Sequence, residues 1–287
     1  MVGSAIFPVC YHRAMSASTA LGAVGRAAVL TLAIATSAFA ARRPDPLAAA
    51  RLFYNNGQYD LAIQAAEPVA ANPPFSSSAH LVLGRSRLER FRKTSVPQDL
   101  DDARADLREV DPRVIDAHER LELQIGLAVL LYFEDRFGAA AELLDPVIDA
   151  STPLTHDAHE RALDWWATAL DRQAQTIPAP ERGPIYARVI DRMERELRRD
   201  SASGVAGYWL AAAARGAGDL DRAWAAASAS WVRASLAPDR GESLRADLDK
   251  LVTQAIIPER AAKASARDRR QTAASLTADW EAFKKIW

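Results

Sequence analysis

A chain of 287 residues carrying 36 lysines and arginines against 37 aspartates and glutamates is nearly charge-balanced, which argues against a general nucleic-acid binder or a polybasic membrane binder. Its 49% hydrophobic content suffices for a buried core, and the weight on Ala and Leu rather than Val and Ile favours helix over sheet. The length exceeds a usual compact domain, but a stack of repeats needs no division, because each unit packs only on its neighbours.

Residues 1–40 hold only Arg13 and Arg26 as full charges and end in the apolar run AAVLTLAIATSAFA, Ala27 to Ala40. Ala38-Phe39-Ala40 has the A-x-A form of an export cleavage site, so the expectation is a signal peptide cut after Ala40, with Met15 a second candidate start. The run is about 14 residues, short of the roughly 20 that a membrane span needs. Its removal also takes away Cys10, the single cysteine. A chain left without cysteine has no disulfide, no thiol nucleophile and no thiolate metal site, and it suits a bacterial periplasm or the cell exterior. An uncleaved N-terminal anchor is the alternative.

From Leu52 to Pro74 the chain reads LFYNNGQYDLAIQAAEPVAANPP: the end of one helix, a turn at Asn55-Asn56-Gly57, and a second helix stopped by Pro73 and Pro74. Tyr59, Ala62, Ile63 and Ala66 fall at i, i+3, i+4 and i+7, the spacing of one buried helical face. The segment LLYFEDRFGAAAELLDPVI, Leu130 to Ile148, overlays this stretch at a constant offset of 78 residues, pairing Tyr54 with Tyr132, Tyr59 with Phe137 and Pro68 with Pro146. A third copy begins at Gly216, and weaker copies begin at Asp99 and Pro184. Their small anchor residues would be Ala62, Ala103, Ala140, Ala187 and Ala223, where two helices cross closely. Ala79-His80, Ala117-His118 and Ala158-His159 mark a second echo in the leading helices.

The order Gly, aromatic, Ala, terminal Pro resembles the tetratricopeptide repeat. That resemblance implies an all-α, right-handed α-α superhelix of about five helix pairs over residues 41–239, followed by a C-terminal helical cap over 240–287. The periods exceed the 34 residues of the family, so the units have long helices or long connectors. Breakers divide the units: Pro46, Ser76-Ser77-Ser78, Asp111-Pro112, Ser151-Thr152-Pro153, Ile177-Pro178-Ala179-Pro180 and Ala237-Pro238. In the last segment Leu276, Trp280, Phe283 and Trp287 recur at i, i+4, i+7 and i+11, either as a cap over the terminal unit or as a partner-binding tail.

Signals for chemistry are sparse. His118-Glu119 and His159-Glu160 open like a zinc HExxH motif, but Glu122 and Leu163 stand where the second histidine belongs. His156 and His159 share a helix face without further ligands, and no GxSxG, GxxxxGK[ST] or GxGxxG is present. Asp99, Asp101, Asp102 and Asp106 lack the glycine and final Glu of a calcium loop and suit a helix start instead. No catalytic residue, metal or cofactor is therefore nominated.

What remains is a surface. In proteins of the resembled family the first helices of successive units line a concave groove that holds a peptide or helix. Carried over by position, the groove residues here would be Arg51, Tyr54, Arg85, Tyr132, Trp165, Tyr208 and Arg215, with Leu163, Trp166 and Leu170 buried beside Trp165. Tyr, Trp and Arg are the types that concentrate binding energy. The expected function is a non-enzymatic protein-interaction scaffold of the cell envelope. The alternatives are a membrane-anchored assembly factor, or an enzyme or carbohydrate-binding protein on the same scaffold.

Overall fold

A computed structural model describes residues 45–150, 154–236 and 241–287. The proposed signal segment, Cys10 and the cleavage site lie outside these residues, as do Ser151-Thr152-Pro153 and Ala237-Pro238. Among the described residues the protein is all-helical, with no strand, and sequence-adjacent helices pack as pairs. No helix among them is long and apolar enough to cross a membrane.

The pairs are α1 (Ala48–Asn55) with α2 (Tyr59–Ala70), α3 (Ser76–Thr94) with α4 (Pro97–Glu109), and α5 (Ala117–Phe133) with α6 (Phe137–Ile148). Then come α7 (His156–Gln175) with α8 (Gly183–Arg199), and α9 (Gly204–Gly216) with α10 (Leu220–Arg233). The chain closes with α11 (Glu242–Leu251), a π turn (Val252–Ile256), α12 (Ile257–Ala262) and α13 (Arg269–Ile286). The π turn lies just before Pro258, whose missing N–H cannot feed the ordinary helical ladder.

The 78-residue offset is visible in the backbone: α2 and α6 start and end at equivalent positions and both carry a proline in the last turn, Pro68 and Pro146. The turns between paired helices also repeat. Gly57, Ser95, Asp135 and Gly218 all have positive φ, and each stands two residues before the second helix of its pair. At Gly57, Asp135 and Gly218 the same bonds close the preceding helix. The residue's own N–H donates to the carbonyl three back, and the next N–H to the carbonyl five back, at 2.9–3.1 Å. Left-handed geometry releases the chain while satisfying the last carbonyls. The pair α7/α8 lacks this turn and is joined instead by Thr176 to Arg182, with a short 3₁₀ piece at Ala179–Glu181.

Helix starts are capped as their sequences direct. Asp116 accepts from the Glu119 N–H while the Glu119 side chain reaches back to the Asp116 N–H, a capping box. Thr155, Ser203 and Asp219 each accept one N–H at the start of α7, α9 and α10.

The core follows the chain as three neighbouring clusters, around Ile63 and Val82, around Leu107 and Leu123, and from Ala128 through to Trp280. Ala62, Ala103, Ala140 and Ala223 are fully buried where helices cross. Ala187 is exposed, which corrects the anchor expected for the fourth unit. Tyr186 occupies the fourth position of α8, where Ala62 stands in α2, and is buried with Val189, Ile190 and Met193. A bulky ring is accommodated because Gly216 faces it, too close for any Cβ there. Gly84 is likewise a close-approach position, where a Cβ would come within 2.7 Å of the Leu107 side chain on α4.

Trp280 on α13 is fully buried, stacked on Phe283 and edge-on to Trp224 and Trp231 of α10, and its indole N–H donates to Asp249 at 2.8 Å. Trp280 and Phe283 of the aromatic stripe thus pack α13 against the last pair. Its final member, Trp287, is exposed.

Candidate functional site

The seven residues nominated from sequence all lie on α1, α3, α5, α7 and α9, the leading helices of successive pairs. They form a linked series at the first three pairs. Arg51 reaches from α1 to Glu119 at 2.7 Å and to Asp45 at 2.6 Å. Arg85 lies 4.5 Å over the Tyr54 ring and pairs with Glu122 of α5 at 2.8 Å. Guanidinium on a ring face with a carboxylate behind it is a cation–π contact strengthened by an ion pair.

Tyr132 behaves otherwise. It is buried, with Phe133, Phe137 and Trp165 around its ring at 5.1–5.7 Å, and only its hydroxyl reaches outward to the Arg172 Nε–H at 3.4 Å. Its place 78 residues after Tyr54 is therefore used for packing between pairs, because α7 brings Trp165 against it whereas α3 brings Arg85 against Tyr54. Trp165 is half-buried on Tyr132 and Phe133. Leu163, Trp166 and Leu170 are buried. Tyr208 is half-buried on α9, and Arg215 holds Glu259 of α12 through two bonds at 2.9 and 2.5 Å.

Several side chains of the row escaped the sequence reading. Glu160, Asp164 and Asp171 fall at i, i+4 and i+11 on α7, one stripe of the helix, and all three are half-buried. Glu160 accepts from the Ser203 hydroxyl at 2.7 Å and from the Val205 N–H at 3.2 Å, at the start of α9. Asp164 takes the Trp209 indole N–H at 2.8 Å. Asp171 takes the Tyr186 hydroxyl at 2.9 Å and the Gln175 amide at 2.5 Å. None of the three is in an ion pair among the described residues. Burial pushes the Asp164 carboxyl up to about 6, against the Trp209 bond, with Glu160 and Asp247 adding to the rise. Burial also raises Asp171, against the Tyr186 bond and the charges of Arg215 and Arg172, and raises Asp247 of α11 despite Lys250. Tyr208 stands among them, its phenol pushed well above its ordinary value by burial and then by Asp247, Asp164 and Asp171.

Tyr54, Arg85 and Asp164 are all half-buried. The hydroxyls of Tyr54 and Tyr208 make no hydrogen bond among the described residues.

The histidines serve structure. His80 contacts Asp106 and His159 contacts Glu196, each at 3.0 Å, joining the first helix of a pair to the second. The His echo in the sequence is thus partly an intra-pair tie; the third member, His118, lies near Glu122 at 3.5 Å on its own helix. Among the described residues no three His, Cys, Asp or Glu side chains gather as a metal cluster.

No protein-family model matches the chain, and comparison with curated proteins and with solved structures likewise gives no match.

Proposed function

We propose that the chain is a non-enzymatic interaction scaffold, built as a right-handed superhelix of tetratricopeptide-like units and exported to the bacterial cell envelope. In this reading a partner protein, or a segment of one, lies in the concavity bordered by α1, α3, α5, α7 and α9. The observation that carries it is the recurrence of one turn. Three pairs close with the same two backbone bonds at Gly57, Asp135 and Gly218, and the leading helix of each carries a member of the row. Equal turns within pairs make like units, and like units packed on their neighbours form a curved stack whose leading helices share one side. The envelope assignment rests on the composition of residues 1–40.

Photo-crosslinking side chains placed at Tyr54 and Tyr208, compared with one at exposed Asp191 on α8, test the reading in the native envelope. Adducts to one protein from the first two positions and none from Asp191 are expected. Adducts equal at all three, or a retained small molecule and no protein, would sink it.

A second reading, an enzyme or carbohydrate-binding protein on the same scaffold, draws on Glu160, Asp164 and Asp171, three half-buried carboxyls on one stripe of α7. Glycan binding or hydrolysis lost in Asp164→Asn would move the chain to that class.

A further inference from the structure

The charge balance of the chain is an average over two unlike parts. Residues 263–287 carry six lysines and arginines against three aspartates and glutamates, while acidic groups outnumber basic ones over the rest. Many arginines elsewhere are held in ion pairs, such as Arg90 with Asp99 and Arg192 with Asp149. At the linker between α12 and α13 this stops. Lys263, Arg267, Arg269 and Arg270 are all exposed, and none makes an ion pair or a side-chain hydrogen bond among the described residues. Asp268 stands among them, but its carboxylate accepts the Ser265 hydroxyl at 2.6 Å. Helix stability does not account for these cations, because Arg269 and Arg270 open α13, where positive charge opposes the helix dipole.

The other end of α13 carries a second exposed group. Lys285 is exposed and unpaired among the described residues, and Ile286 and Trp287 follow it at 75% and 58% exposure. Arg270 and Lys285 are fifteen residues apart, about 22 Å along the axis and only about 60° around it. They therefore share a side of the helix, together with exposed Gln271, Ala274, Ala278 and Ala282. Trp280 turns the other way, into the stack. Of the acidic residues on α13, Glu281 is paired with Lys284 at 2.7 Å. Asp279 stands about 120° around the helix from Lys285.

Free cations along one side, ending in an exposed isoleucine and tryptophan, are complementary to a surface that is anionic outside and apolar beneath. Guanidinium and ammonium groups pair with lipid phosphates, and a tryptophan places its ring at the apolar boundary with its N–H among the headgroups. An acidic protein or a nucleic acid would match the cations but leave Ile286 and Trp287 in water. We propose that the outer side of α13, with the linker before it, docks the protein on an anionic lipid surface. Lys263, Arg267, Arg269, Arg270 and Lys285 meet the headgroup phosphates, and Ile286 and Trp287 enter the boundary beneath them. This concerns where the protein stands and is independent of what the leading helices hold.

Cosedimentation of the full chain with vesicles tests it, using phosphatidylcholine alone and phosphatidylcholine with phosphatidylglycerol in equal parts. The neutral vesicles measure what other segments contribute. Binding to the mixed vesicles is expected to be tighter and to weaken with salt. Arg267→Gln, Arg269→Gln and Arg270→Gln together should weaken it about a hundredfold, the combined effect of three cations at an anionic surface. Arg195→Gln with Arg198→Gln, two exposed positions on α8, should leave it unchanged. Tryptophan quenching by lipid brominated in its acyl chains should accompany binding and largely vanish in Trp287→Ala. Every position changed is exposed, and thermal melts establish that each variant is folded. Equal binding to both kinds of vesicle, or a triple variant that binds as the native chain does, overturns the proposal. Binding without quenching that depends on Trp287 overturns it too, and tighter binding of poly-glutamate would then assign the patch to an acidic protein.

Discussion

Two seams of the protein bury acidic side chains and treat them oppositely. Where α2, α3 and α4 meet, Arg90 grips Asp99 through bonds at 2.9 and 2.5 Å and also reaches Asp60, while Arg87 spans Asp106 and Glu67. Every deep carboxylate there has a guanidinium. On one stripe of α7, Asp164 and Asp171 are hydrogen-bonded by neutral donors, with Arg92 acting on the first and Arg215 and Arg172 on the second without a direct ion pair. Desolvating a charge costs free energy that a partner charge repays and a neutral donor repays only in part. The first seam is therefore closed by direct ion pairs, and the second by neutral hydrogen bonds with the cations farther off.

The comparison can be broken at its strongest point first. Arg90→Ala strands Asp99, whose side chain is only 6% exposed, and is expected to lower stability by about 3 kcal/mol. Thermal or denaturant melts check it. An unchanged midpoint would mean the arginine seam is ornament, and the contrast with α7 would lose its meaning.

Asp164→Asn should act in the opposite direction. The amide oxygen keeps the Trp209 bond while the buried charge disappears, so stability at neutral pH rises by about 2 kcal/mol. The sign follows from the folded carboxyl sitting at about 6, above the 3.8 of a free aspartate. Between those values the folded state holds the extra proton, so the native chain gains stability as pH falls from about 6 toward 4. The asparagine variant lacks that gain. Melts across this range distinguish the two; a variant less stable than the native chain at pH 7 would overturn the account.

The smallest effect belongs to the exposed pair of Arg104 with Asp101 at 2.7 Å. Asp101→Asn should change stability by less than about 0.5 kcal/mol, because solvent already screens the pair. A larger loss would show that exposure does not separate the two seams.

How much of this was legible follows from what each residue type advertises. The helix pairs were plain in the apolar spacing at Tyr59, Ala62, Ile63 and Ala66 and in the exact offset to Phe137 and Ala140, because packing periodicity is written locally. Asp135 was harder: an aspartate in the left-handed turn that glycine takes at Gly57 and Gly218 has no sequence signature beyond its place in the repeat. Ala187 misled because one residue of slip turns α8 by about 100°, and Tyr186 filled the buried place instead. The aromatic and arginine positions named by register do lie on leading helices, but Tyr132 and Tyr54 look alike until the neighbouring helix supplies Trp165 or Arg85. The acidic stripe was hidden for another reason. Asp164 and Asp171 lie on one line of α7, yet carboxylates on a helix ordinarily face solvent, and nothing local says that Trp209 of α9 and Tyr186 of α8 will reach them.

The three indoles brought together by α13 have an optical consequence. Trp280 contacts Trp224 and Trp231 with ring centroids 5.8 and 5.4 Å away, near enough for their transitions to mix. Four other tryptophans complete the seven of the chain, and none of them takes part in this group. Near-ultraviolet circular dichroism should therefore lose a coupled band when α13 lifts away, while the far-ultraviolet helix signal barely moves. The end of the stack carries its own gauge of fraying, readable without a label.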